Sequence, residues 1–198
     1  FISDDFADLT KWVFPSHDSL SLILPYGYIT LWADSEPFQG ENHLPFSLNK
    51  DGETLILVAN DGFTIIDQKV FSEQYADISY GRDPSSNNGW SYFINPSIGR
   101  QNNSGYEGLL SMPFITPEGG VFLEPFNVSM LQNDESNIFY TVNGYEPSIN
   151  DIIYINPINI SETTIINGRS FKDSYIPSYS RSHLYLSDSS YSLDRKST

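Results

Sequence analysis

The stretch that most constrains this chain is residues 49–71, NKDGETLILVANDGFTIIDQKVF. Two apolar, β-branched runs, residues 54–58 and 63–66, flank Asn60-Asp61-Gly62. An Asn/Asp-Gly pair between such runs marks a β-hairpin, because glycine tolerates the positive φ that a tight turn needs. The hairpin predicts an antiparallel sandwich organised around it. Its composition agrees: aromatics are 15% and charged residues only 18%, with 13 Gly and 12 Pro, a balance that suits short strands joined by turns. The chain is therefore expected to be all-β.

At 198 residues the chain is long enough for two units that each bury a core, and two are expected. The formal charge of -15 is shared between them. Residues 1–104 hold 5 Lys and Arg against 14 Asp and Glu, and residues 105–198 hold 5 against 11, giving -9 and -6. So acidic a surface repels phosphate backbones and anionic lipid, which argues against a nucleic-acid partner and against a membrane-surface role. With no cysteine there is no disulfide, thiolate metal site or cysteine nucleophile. No run approaches the roughly 20 apolar residues of a membrane-spanning helix, so no membrane insertion is expected. The chain opens on Phe1 and closes on a polar stretch, and both ends read as cut from something longer.

Along the first half, residues 20–24 and 28–32 are further strand candidates, divided by the turn Pro25-Tyr26-Gly27. Asp4, Asp5 and Asp8 precede the apolar run Trp12-Val13-Phe14. Three loop carboxylates are a candidate calcium site, since calcium takes six to eight oxygen ligands, against the plainer reading of solvated turn acids. The loop Asp83, Ser85, Asn87, Gly89 echoes a helix-loop-helix calcium site but has Asn88 where Gly belongs and Ile94 where a bidentate Glu belongs, so a plain turn is expected. His17 stands beside Asp18 and Ser19, yet no nucleophile-elbow pattern exists; His17, His43 and His183 are read as surface loop residues. Arg82, the one cation of an acidic neighbourhood, is expected to pair with a nearby carboxylate.

Residues 101–111, QNNSGYEGLLS, are polar and contain glycine, as a linker would. Beyond them, residues 120–123, 127–131, 137–142, 152–155 and 163–166 are strand candidates, spaced at about ten residues as in a second sandwich. Asn143-Gly144 and Asn156-Pro157 are among the turns between them. Trp12, Trp32 and Trp90 are assigned mainly to core packing, and Tyr145, Tyr175 and Tyr179 form a candidate platform on which a sugar face would stack. The acid pairs Asp4/Asp5, Asp134/Glu135 and Glu146/Asp151 sit in predicted turns rather than across a cleft, so no catalytic residue is assigned and the chain is not expected to be an enzyme.

Two family resemblances sharpen this reading. Ile2-Ser3-Asp4-Asp5 through Lys11-Trp12, His43 with Phe46-Ser47-Leu48, Asp61-Gly62, Asp77-Ile78-Ser79-Tyr80-Gly81-Arg82, Trp90 and Asn95-Pro96-Ser97-Ile98-Gly99 resemble the bacterial lamin-tail domain. That family is an immunoglobulin-like β-sandwich, and the chain lacks its usual opening strand, which implies an unpaired sheet edge and association through it. Pro117-Glu118-Gly119-Gly120-Val121-Phe122, then Tyr140-Thr141-Val142-Asn143-Gly144-Tyr145-Glu146-Pro147, Tyr154 and Pro157-Ile158-Asn159-Ile160 resemble the C-terminal domain of chitobiase and related β-hexosaminidases. Asn143 stands where that family most often has Asp. The second family domain is an accessory module without the glycosidase active site.

Together they imply two immunoglobulin-like antiparallel β-sandwiches in tandem: residues 1–103, a linker at 104–111, residues 112–186, and a polar tail at 187–198. The order resembles the front of exported spore-coat-H-like proteins. The function implied is a non-catalytic interaction or anchoring module of a larger exported bacterial protein, secreted or at the cell surface, meeting a protein or polysaccharide partner. The alternative is a carbohydrate-binding accessory module; a hydrolase or kinase domain would lie outside this chain. No cofactor is expected beyond the candidate calcium.

Overall fold

The computed structural model describes residues 1–16 and 22–188, so His17, Asp18 and Ser19, and the polar tail beyond residue 188, lie outside the described residues. Strands make up nearly all the regular structure, and one 3-10 turn, Pro37–Gln39, is the only helical element among the described residues. The chain is all-β and divides into two compact units, Phe1–Ser104 and Gly105–Thr198.

In the first unit β1 (Ile2–Ser3), β2 (Gly52–Val58) and β3 (Ile65–Ser72) form a three-stranded antiparallel sheet in that order. The hairpin expected from the sequence is the β2–β3 pair, in register from Gly52 opposite Ser72 to Val58 opposite Ile65. Its connection is longer than a tight turn. Ala59 donates its amide to the Thr64 carbonyl at 2.8 Å, and Asp61 Oδ1 accepts from the amides of Phe63 and Thr64. The side chain thus satisfies backbone donors that a two-residue turn would leave to the ladder, and Gly62 takes the positive φ of +79°. Phe63 therefore sits in the loop, 73% exposed, and β3 runs on to Ser72 instead of ending near residue 66.

The strand expectations at 20–24 and 28–32 are not met. Residues 20 and 21 lie outside the described residues, and 22–31 form no strand; the chain next pairs through isolated bridges, Trp32 with His43 and Asp34 with Ser47. Leu22, Ile23 and Leu24 are exposed, so the apolar run found no partner strand, and β-propensity without a cross-strand partner does not make a sheet. The turn between them is present: Gly27 donates to the Leu24 carbonyl at 2.7 Å.

A second hairpin pairs β4 (Ser79–Arg82) with β5 (Trp90–Phe93). Its loop is a plain turn, closed by Asp83 N donating to Gly89 O at 3.0 Å, with Asp83 Oδ1 accepting the amide and hydroxyl of Ser85. The main apolar cluster of this unit is Trp12, Leu44 and Phe46, with Ile2, Phe14 and Leu55 against it.

The second unit holds β6 (Phe114–Thr116), β7 (Gly120–Phe122), β8 (Phe126–Leu131), β9 (Asn137–Thr141), β10 (Ile152–Ile153), β11 (Ile158–Ile160), β12 (Thr164–Phe171) and β13 (Arg181–Ser187). They form two sheets, β10-β9-β12-β13-β7 and β11-β8-β6. Six of the eight strands contribute buried residues to the space between: Ile115, Val128, Met130 and Ile160 from the smaller sheet, Ile138, Ile166 and Tyr185 from the larger. This is a β-sandwich. The sheets lie close at Gly168, where a Cβ would meet Met130, Ile115 and Pro113 at 3.2–3.3 Å. One pairing departs from the antiparallel expectation, β13 with β7, which is parallel. The short β6 and β11 had no strand signal of their own, and β12 extends past the expected 163–166 through Asn167-Gly168, which in sequence looks like a turn.

Candidate functional site

A concavity of about 750 Å³ in the second unit opens at the end of β9 and β12. Asn137 and Phe139, two apart on β9, point to the same side, and Phe171 arrives opposite Asn137 at the end of β12. Phe139 and Phe171 meet edge to face, centroids 5.4 Å apart at 85°. The chain then turns through Lys172, Asp173 and Ser174, with Tyr175 N donating to Lys172 O at 3.2 Å. Ser174 has a φ of +65°.

That turn is held by the segment just after the division between the units. Glu107 donates its amide to Ser174 O at 2.8 Å, Ile176 to Gly108 O at 2.8 Å, and Leu110 to Ile176 O at 3.0 Å. The pairing brings Tyr106 to the rim and lays the Tyr175 ring on Gly108, where a Cβ would stand 3.3 Å from the ring. Lys172 Nζ lies 5.0 Å from the Tyr175 centroid. On the far side Glu135 enters from the β8–β9 turn, whose backbone is braced by Gln132, Asp134 and Ser136 bonding to one another. The result is a cleft with walls of Tyr106, Phe139, Phe171 and Tyr175 and polar groups on Glu135, Asn137, Lys172 and Asp173. Apolar walls with a few polar groups are the usual make-up of a ligand site.

Of the three tyrosines proposed as a sugar platform, only Tyr175 lines the cleft. Tyr145 and Tyr179 are exposed elsewhere, at 74% and 55%. Tyr145 is held by its backbone, its carbonyl accepting from Thr141 Oγ1 and Asn167 Nδ2. The three rings were grouped by neighbourhood in sequence, whereas register on β9 and β12 decides which aromatic faces the cleft. Phe139 and Phe171 escaped sequence reasoning for that reason; the signal available was Lys172-Asp173-Ser174-Tyr175, a polar turn ending in an aromatic.

The calcium candidates are not assembled as a site. Lys11 Nζ donates to Asp4 Oδ1 at 2.6 Å and lies 3.7 Å from Asp5 Oδ2. The hydrogen bond to Asp4 is the chief reason the lysine's pKa is raised. Asp5 Oδ1 accepts from Ala7 N, and Asp8 Oδ1 from Thr10 N and Oγ1. Lys11 thus pairs with two of the three acids, and no cluster of three or more acids or histidines suited to a metal occurs among the described residues. His43, read as a surface residue, binds Asp34 Oδ2 through Nδ1 at 2.6 Å and stacks on the half-exposed Trp32. His183 Nδ1 lies 3.4 Å from the Tyr185 hydroxyl. Trp12 is buried, Trp90 is half-buried, and Arg82 pairs with Asp67 at 2.6 Å.

The carboxylates with displaced pKa values, Asp34, Asp61 and Asp151, lie outside the cleft, and all are lowered. For Asp34 desolvation pushes upward but is outweighed by the His43 and backbone hydrogen bonds; for Asp61 and Asp151 hydroxyl and amide donors from Thr64 and Ser148 lead. A general acid for glycoside cleavage needs the opposite displacement.

Residues 117–182, all within the second unit, match the family model of the chitobiase/beta-hexosaminidase C-terminal domain. The matched segment contains every cleft residue except Tyr106. The lamin-tail and spore-coat-H-like resemblances gain no support from it. No curated protein and no solved structure matches the chain significantly. No helix among the described residues is long and apolar enough to cross a membrane.

Proposed function

We propose that this chain is a non-catalytic interaction module of a larger exported bacterial protein, secreted or at the cell surface. In this reading the first unit is a lamin-tail-like sandwich and the second an accessory domain that holds a partner in the aromatic cleft. The observation that carries it is the cleft itself: four aromatic walls and four polar side chains on a sandwich that matches the chitobiase/beta-hexosaminidase C-terminal domain, a resemblance that implies an accessory module. The charge of -15 argues against nucleic acid as the partner. An outer strand of the first unit's sheet offers an additional edge for association.

The aromatic walls favour a neutral polysaccharide over a protein partner. Sugar rings present an apolar face to stack and hydroxyls for Asn137, Glu135 and Asp173 to bind, whereas Lys172 beside two acids gives the cleft no strong charge for steering a protein. The test is retardation of the whole chain in gels cast with a panel of neutral polysaccharides, comparing Phe171→Ala and Tyr175→Ala. Retardation on at least one polysaccharide, weakened about tenfold by either variant, is expected, as the loss of one stacked ring costs roughly 1 kcal/mol or more. No retardation on any, or full retention by both variants, overturns the carbohydrate reading. Release of sugar by the chain, abolished in Glu135→Gln or Asp173→Asn, would make the protein an enzyme and overturn the non-catalytic one.

A further inference from the structure

The first unit carries a second concavity, remote in sequence from the aromatic cleft, and its charge is out of keeping with its surroundings. Ile2, Leu55 and Leu57 form the floor of a groove of about 220 Å³, Trp90 is one wall, and Lys69 and Arg82 stand at the rim together with one acid, Asp67. Residues 1–104 contain only 5 Lys and Arg against 14 acids, yet two of the five meet in this one groove.

The two cations differ in how they are held. Arg82 is compensated, its Nη2 donating to Asp67 Oδ2 at 2.6 Å while its guanidinium lies 5.0 Å from the Trp90 centroid. Lys69 is not. Its ammonium sits 4.2 Å from the Trp90 centroid and 5.1 Å from that of Tyr80. Among the described residues no carboxylate or carbonyl accepts a hydrogen bond from it. Ring faces attract the charge but accept none of the three N–H donors in the ordinary way. In so acidic a unit, a half-buried lysine without an acid partner leaves hydrogen-bonding capacity aimed at a groove rather than at the protein.

We propose that this groove binds a carboxylate attached to a small apolar group. Lys69 takes the carboxylate as a charge-assisted hydrogen bond, and the apolar group lies on Ile2, Leu55 and Leu57 beside the Trp90 ring. The size selects the ligand class: about 220 Å³ falls below the roughly 300–1,000 Å³ of sites for drug-sized molecules, so the occupant is a single side chain or chain end. A C-terminal carboxylate beside an aliphatic side chain has this chemistry, and so does a free aliphatic acid.

The test uses the whole chain, with the Trp90 indole N–H signal in nuclear magnetic resonance as reporter, assigned through Trp90→Phe. N-acetyl-leucine, the peptide acetyl-Gly-Gly-Leu, their C-terminal amides and inorganic phosphate are titrated in turn. The acids are expected to shift the signal saturably while the amides and phosphate do not. Tighter binding of the peptide identifies a chain terminus as the source, and equal binding identifies a free acid. Lys69→Met is expected to weaken the acid about tenfold or more, one charge-assisted hydrogen bond being worth that much, and Lys69→Arg to retain it. Equal shifts by acid and amide, saturation by phosphate alone, no shift by either acid, or unchanged binding in Lys69→Met each overturn the proposal. The acid-against-amide comparison needs no variant, so a misfolded Lys69→Met does not spoil it, and none of these outcomes touches the cleft of the second unit.

Discussion

In the second unit the main cluster lies between two sheets, and each of its seven residues, from Ile115 to Tyr185, is on a strand, while Leu110 and Ile176 are buried outside the strands. In the first unit the principal cluster of Trp12, Leu44 and Phe46 comes from chain outside the named strands, and aromatic side chains are also arranged at the surface as a run, Tyr75, Tyr92, Tyr80 and Trp90, capped by Lys69 and Arg82. Each unit carries its candidate site where its own packing is firmest. Strand-borne core residues fix β9 and β12 and so hold the aromatic cleft in place, whereas in the first unit cations and rings hold each other and leave a charged groove between sheet and hairpin. The two units are therefore expected to unfold separately and to respond to different substitutions.

The largest effect should come from the sandwich interior. Ile166 is fully buried on β12, and Ile166→Ala should cost about 2–5 kcal/mol through lost burial and a cavity between rigid sheets. Calorimetry should show one of two transitions lowered and the other unmoved; equal lowering of both would break the division into independent units. Leu44→Ala in the first unit should lower the other transition by less, about 2 kcal/mol, because its half-buried neighbours Ile2, Phe14 and Leu31 can settle into the space.

Next in size is a buried phenol. The Tyr185 hydroxyl donates to the Pro117 carbonyl at 2.6 Å, and burial holds its pKa above the ordinary 10.0. Tyr185→Phe should cost the second unit about 1 kcal/mol at neutral pH. Because the folded pKa is raised, the stability tied to the neutral phenol is complete below pH 10 and is lost as pH rises beyond it. In the first unit Tyr75 is raised as well, by burial and then by the charge of Glu73. An absorbance titration of phenolate at alkaline pH should show two late-ionising groups, one absent from Tyr185→Phe and the other from Tyr75→Phe.

Much of the fold was legible locally. Asn60-Asp61-Gly62 announced the central hairpin, and short runs set off by turn residues announced β8 and β9, because both signals act within a few residues. What was not legible depended on partners far along the chain. Leu22-Ile23-Leu24 has the letters of a strand but no strand beside it, and Ile158–Ile160 becomes β11 because Phe126–Leu131 is there to pair. The cleft was legible only at Tyr175, since Tyr106, Phe139 and Phe171 converge through sheet register and the Gly108 contact. The acids near Asp4 looked like a metal set because the sequence does not reveal that Lys11 folds back among them.

The smallest effect separates the units at low pH. Each has a turn whose carboxylate accepts several donors: Asp61 takes Thr64 Oγ1 at 2.6 Å and the amides of Phe63 and Thr64, and Asp151 takes Ser148 Oγ at 2.7 Å and its amide at 2.8 Å. Hydroxyl donation is the leading cause of the lowered pKa in both. A carboxyl with a lowered folded pKa contributes stability that is present above the ordinary 3.8 and is lost as pH falls through the folded value. Asp61 closes the connection of the first unit's central hairpin, whereas Asp151 closes a turn ahead of the two-residue β10 at the margin of a five-stranded sheet. Asp61→Asn should therefore lower the first unit's transition at pH 7 and flatten its decline below pH 4, while Asp151→Asn should move the second unit's transition less. If Asp151→Asn proves the more damaging, the stability of the second unit rests on its margin as well as on its core, and the contrast drawn from Ile166 and Leu44 narrows.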